Sequence, residues 1–198
     1  MKKLNAFFFA LCCSVALVAF SSSHTNAQTG ARAANTRETF TGTIVGIGGT
    51  LGGRSRPFTL DITGTTPDAD VTRYVELLAA RGQDAIMEQA RNQRLGKFSI
   101  SGQLGRDVNF VRIHPTENGG RRIVVIFERW LNTFELRYGT RSADYPFSYA
   151  EIYVDSQGRG EGTFIPAARI RFDDDDNRVE VVNFGIYPAR LMGVRQRR

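Results

Sequence analysis

An α+β domain, mostly β, is the fold class that this chain of 198 residues predicts: an antiparallel, barrel-like sheet of about eight or nine strands with one inserted helical hairpin. Three observations predict it. Short β-branched and aromatic runs recur along the chain between glycine-rich turns. One island alone, near residues 66–93, carries a helical spacing. Most of the strand-like runs lie close enough in sequence to pair antiparallel, and closing such a sheet protects its edges.

The chain opens on a segment with a different character. Met1-Lys2-Lys3 is a basic start, Leu4 to Phe20 is almost unbroken apolar, and Thr25-Asn26-Ala27 ends on a small residue. That is the layout of a secretory signal peptide over residues 1–27, with cleavage expected after Ala27. Residues 28–38 are polar and without periodicity, a flexible lead-in, and 39–198 form a single β-rich domain. The expected product is exported, periplasmic or extracellular, with no transmembrane span once the signal is removed. Cys12, Cys13 and His24 all lie in the leader, so the mature chain is disulfide-free and has one imidazole, His114. Its stability rests on packing and strand pairing.

The elements follow in order. Phe40 to Ile47 and Phe58 to Thr63 alternate as strands around the glycine-rich turn Gly48 to Pro57. Thr66 is placed as a helix N-cap and Pro67 as the first helical residue, with Asp68 and Asp70 at the positive end. Val71, Tyr74, Val75 and Leu78 make one apolar stripe, and Gly82 ends the helix. A second helix is expected over Asp84 to Gln93, with Ile86, Met87 and Ala90 inward and Gly96 as its stop. Strands then run over Phe98–Ser101, Val108–His114, Arg122–Arg129, Thr133–Tyr138, Tyr149–Val154, Gly162–Phe172 and Arg178–Ile186. Asn118-Gly119 marks a hairpin between two of them. Leu191 and Val194 are assigned to a short final segment before the basic end.

Charge and motifs narrow the chemistry. The full chain carries a net charge of +6, and losing Lys2 and Lys3 leaves 24 basic against 20 acidic residues. Lys97 is the one remaining lysine, so the positive charge is guanidinium. No basic stripe interleaved with aromatics appears, so no nucleic-acid partner is expected. The glycine-rich turn lacks both G-x-G-x-x-G and Gly-Lys-Ser/Thr, and a strand follows it, so no nucleotide loop is read there. No cofactor is expected.

Three candidate sites stand out. A small hydrophobic or anionic ligand, held within or at the mouth of the sheet, would be met by Arg112, His114, Trp130, Tyr149 and Glu151. In the strand containing His114, the same-face neighbours are taken as Val108, Phe110 and Arg112. Glu128 and Glu151 are the strand carboxylates that a cell-wall or polysaccharide hydrolase would pair as acid and base. Asp173, Asp174, Asp175 and Asp176 form the densest acidic run; without EF-hand spacing they read as a solvated hairpin tip, with weak calcium binding as the alternative. An envelope protein-protein accessory is the third functional reading, marked by an exposed apolar patch and no pocket.

Five segments, Phe58-Thr59-Leu60-Asp61-Ile62, Leu77-Leu78-Ala79-Ala80-Arg81-Gly82-Gln83, Asp144-Tyr145-Pro146-Phe147, Gly160-Glu161-Gly162 and Pro188-Ala189-Arg190-Leu191, resemble exported bacterial proteins of unknown function. That resemblance implies export and brings no activity and no site. The reading from residues and resemblance together is an exported, non-catalytic binding or structural module of the bacterial envelope.

Overall fold

The computed structural model describes residues 37–46, 55–129, 144–176, 178–185 and 188–197. The expected signal segment, the expected lead-in before Arg37, residues 47–54 of the glycine-rich stretch, Trp130 and the strand expected at Thr133–Tyr138 lie outside them.

Ten strands and two helices follow the chain as β1 (Glu38–Val45), β2 (Ser55–Ile62), α1 (Asp68–Arg81), α2 (Gln83–Ala90), β3 (Gly96–Ile100), β4 (Arg106–Val108), β5 (Phe110–Pro115), β6 (Arg121–Glu128), β7 (Phe147–Val154), β8 (Arg159–Asp173), β9 (Arg178–Asn183) and β10 (Ala189–Arg197). The strands form one antiparallel sheet in the order β4-β3-β2-β1-β10-β8-β7-β6-β5, with β9 pairing the far half of β8. The ends of that order, β4 and β5, are consecutive on the chain with only Asn109 between them. The sheet therefore comes round on itself as a nearly closed, barrel-shaped ribbon, the architecture that the alternating runs predict. All described residues fall in one structural unit.

The inside of the barrel is solid. Phe40, Leu60, Phe98, Ile123, Phe127, Ile152, Phe164 and Leu191 are all buried in one cluster. Phe98 stacks on Phe58, Phe127 and Phe164 at centroid distances of 5.6, 5.1 and 5.3 Å. Side chains fill the space where a larger barrel would hold a ligand.

A second apolar cluster lies on the outer wall, where Leu78 of α1 meets Phe147, Ala168 and Ile170, with Ile86, Met87, Ile126 and Tyr149 packed around them. The helical hairpin docks here. Gln83 fixes it to the sheet: its amide donates to the Asp144 carbonyl at 2.8 Å and accepts from the Ile170 N–H at 3.2 Å. Asn109 holds the other end, donating to the Ala90 and Gln93 carbonyls at 3.3 and 3.1 Å. Both carbonyls lie at or just beyond the end of α2, and that of Ala90 also accepts from the Gln93 N–H at 2.9 Å.

Four expectations change. Thr66 does not cap α1; its hydroxyl accepts from the Val111 N–H at 3.0 Å, and its own N–H donates to the Val111 carbonyl at 2.9 Å. Pro67 is the N-cap, without a side-chain cap bond. Gly96 opens β3 rather than ending α2, which stops at Ala90. The expected single strand Val108–His114 is broken at Asn109, so Val108 joins the barrel interior while Phe110, Arg112 and His114 face out. Finally, Leu191 and Val194 belong to a nine-residue strand, β10, that sits between β1 and β8 and joins the two halves of the sheet.

Candidate ligand-binding groove

Outer positions of the sheet align in cross-strand rows because side chains alternate along each strand. Phe110, Ile126, Tyr149 and Ile165 form one row; Arg112, Val124, Glu151 and Thr163 the next; His114, Arg122, Tyr153 and Glu161 the third. Polarity thus grades along the wall from apolar to mixed to charged.

The helical hairpin covers the apolar end of these rows. Between them lies a groove of about 300 Å³. Val71, Tyr74, Val75 and Leu78 line it from α1, Val124, Ile126, Phe147 and Tyr149 from the sheet, and Arg112, His114 and Arg122 also border it. The stripe identified in the sequence is thus the lid of the groove: Tyr74 and Leu78 are buried, Val71 and Val75 half-buried.

Two ion pairs stand at the charged end, and they differ in kind. Arg122 Nε donates to Glu151, whose Oε1 also accepts from the Tyr153 hydroxyl at 2.9 Å. The Glu151 side chain is only 18% exposed, so this pair is fixed by its surroundings. Its hydrogen bond to Glu151 raises the Arg122 pKa above the ordinary value. Arg112 Nη1 instead donates to Asp68 at 2.6 Å and to the Thr66 carbonyl at 3.1 Å. The Asp68 side chain is 89% exposed, while that of Arg112 is 26% exposed.

Burial, reinforced by the Glu151 carboxylate and opposed by Arg122, pushes the Tyr149 phenol up to about 12. Its folded pKa exceeds the usual value near 10, so the folded state holds this proton more tightly than the unfolded chain does. The stabilisation is complete below pH 10 and is lost as pH rises through about 12. Urea unfolding followed from neutral to alkaline pH should therefore show a fall in stability in that window, which Tyr149→Phe makes shallower. Equal slopes in the two proteins would contradict the assignment. The Tyr74 phenol is also raised, by burial first and then by Asp70.

Of the residues singled out in the sequence, Arg112, His114 and Tyr149 line this one groove, and Glu151 stands beside it through its pair with Arg122. Trp130 lies outside the described residues. Glu128 and Glu151 share the outer face but pair with Phe147 and Val124, four positions apart on the ladder. Four residues of strand set their backbones about 13 Å apart along the ladder. Each is also engaged by an arginine, Glu128 by Arg91 at 3.9 Å. Asp173 accepts from the Asp175 N–H at 3.2 Å and Asp176 pairs with Arg178 at 2.9 Å, and no group of metal-ligating side chains forms among the described residues.

The residues that sequence reasoning missed are Arg122, Val124 and Ile126. Their signal is the run Ile123-Val124-Val125-Ile126-Phe127, apolar at every position, whereas a strand with one wet face alternates. A continuous run means cover on both faces, and the amphipathic helix is the cover.

No protein-family profile, curated protein or solved structure matches this chain. No helix among the described residues is long and apolar enough to cross a membrane.

Proposed function

We propose that this chain is an exported, non-catalytic binding module of the bacterial envelope, and that it holds a small hydrophobic or anionic ligand in the groove between the helical hairpin and the outer wall of the barrel. The observation that carries the reading is the groove itself: concave, apolar along its length, and bordered by three basic or imidazole side chains. Small-molecule sites have this make-up, an apolar cleft with a few placed polar groups. Export rests on the basic-apolar-small layout of residues 1–27.

Size limits the ligand. A volume of about 300 Å³, at roughly 30 Å³ per water-sized group, accommodates about ten non-hydrogen atoms. An eight-carbon alcohol or acid is therefore a suitable probe. With 1-octanol, the expected dissociation constant is on the order of 0.1 mM. Amide resonances of Val75, Leu78, Val124 and Ile126 should shift on titration, and those of the interior residues Leu60 and Ile152 should not. Native mass spectrometry of protein purified from an exporting host tests the same reading without a chosen probe. An added mass that disappears on denaturation supports it. A bare mass, together with no response of the groove amides to 1-octanol or octanoate, would overturn it.

The accessory-protein reading has less support. The large apolar side chains exposed among the described residues, Leu104, Tyr153, Val179 and Met192, sit on four different segments. The groove itself supplies the pocket which that reading expects to be missing.

A further inference from the structure

The groove's ligand class can be narrowed by asking which of its charges is free to change partners. Arg122 is not: Glu151 is mostly buried and is held by both Arg122 and Tyr153. Arg112 differs. Its side chain is three-quarters buried at the groove's charged end, and the guanidinium is anchored to the protein through the Thr66 carbonyl. Its one carboxylate partner among the described residues, Asp68, is almost wholly in water and reaches it through a single oxygen. An exposed carboxylate holding a fixed guanidinium is cheap to displace, since exposed ion pairs contribute little. A guanidinium also presents paired donors that a free carboxylate can take two at a time.

We propose that the ligand is a small monocarboxylic acid with an apolar tail, and that its carboxylate takes Arg112 over from Asp68, which serves as a built-in competitor for the site. The tail lies along Val75, Leu78, Val124 and Ile126, and the head sits between Arg112 and His114. Asp68 sets the affinity: it satisfies Arg112 while the groove is empty and raises the concentration of acid needed to fill it. The inference rests on the groove reading above and goes beyond it in naming the head group and the residue that the ligand displaces.

The test compares octanoate with 1-octanol on four full-length proteins by titration calorimetry at neutral pH. Octanoate should bind the unaltered protein more tightly than octanol. Asp68→Asn should tighten octanoate by about fivefold and leave octanol unchanged. Arg112→Met should lower the affinity for octanoate relative to that for octanol at least tenfold. Asp70→Asn is the control for net charge: it removes the same charge from the same helical turn, but Asp70 pairs with Arg73 and not with Arg112. Its octanoate affinity should match that of the unaltered protein.

The outcomes separate the two readings. If octanol and octanoate bind equally and the Asp68 and Arg112 variants alter neither, the carboxylate exchange is wrong and the groove reading stands. Equal tightening by Asp68→Asn and Asp70→Asn would also overturn the exchange, because long-range charge alone would then explain it. If neither compound binds any of the four proteins, the groove reading fails and the exchange fails with it. Arg112→Met removes a bond to the Thr66 carbonyl, so its fold is checked by the amide spectrum; if it does not fold, Asp68→Asn against Asp70→Asn decides the matter alone.

Discussion

Phe98→Ala should cost the domain about 4 kcal/mol, read as a drop in the urea midpoint with little change in slope. Phe98 is fully buried and is the hub of the barrel interior. Its ring stacks on Phe58 of the neighbouring strand β2 and, across the interior, on Phe127 of β6 and Phe164 of β8. Truncation loses the transfer energy of the ring, leaves a cavity, and removes three aromatic contacts at once. The walls cannot move in to fill the space, because β2, β3, β6 and β8, which carry the four rings, are each held on both sides by neighbouring strands. Phe172 provides the contrast. It lies half-buried toward the β8–β9 turn, so Phe172→Ala should cost far less. Groove binding should survive Phe98→Ala as long as the protein remains folded, since the two apolar clusters are separate. A loss below about 2 kcal/mol for Phe98→Ala would mean that the interior repacks around the gap and is not a rigid stack.

The separation of those two clusters also explains how far the sequence could be read. Strand identity was legible because each strand's inward positions are apolar at period two; Phe58, Leu60 and Ile62 are a clear instance, all in the interior. The helical stripe Val71, Tyr74, Val75 and Leu78 was legible for the same reason at period 3.6, and Gly82 ends α1 with a backbone φ of +76°. Neighbour relations were not legible. That β10 lies between β1 and β8 is a long-range pairing fact, and nothing in Ala189–Arg197 encodes it locally. Parity failed at Asn109, where one irregular residue turns Val108 inward and Phe110 outward. The side chain that stabilises the break is polar and contacts α2 and β6, not its own strand. Arg112, His114 and Tyr149 could be nominated because they share outer faces. That they share one groove depended on β5, β6 and β7 being adjacent and on where the hairpin folds back.

Gly160→Ala should be among the most damaging small substitutions in the chain, costing about 3 kcal/mol or preventing folding. Gly160 lies in β8 opposite Val154 of β7 and Val194 of β10, beside the irregularity in the β10 ladder. A Cβ placed there would run into the backbone carbonyl of Tyr153, and one at Gly162 into that of Glu151. These obstacles are main chain, so no rotamer change relieves them; β7 has to move away from β8 and give up ladder bonds. Gly193 needs glycine for a different reason. Its φ is +60° and nothing lies near its Cβ position, so Gly193→Ala pays only for the left-handed backbone, about 1 kcal/mol. The ordering Gly160 over Gly193 separates close approach from backbone conformation, and thermal unfolding of the two variants measures it. Equal losses would show that β7 gives way easily at this point. The same geometry links these glycines to the groove, because the carbonyls they crowd belong to Tyr153 and Glu151, whose side chains hold Arg122 at its charged end. The close β7–β8 approach at Gly160 and Gly162 thus falls on the stretch of β7 that carries that fixed ion pair.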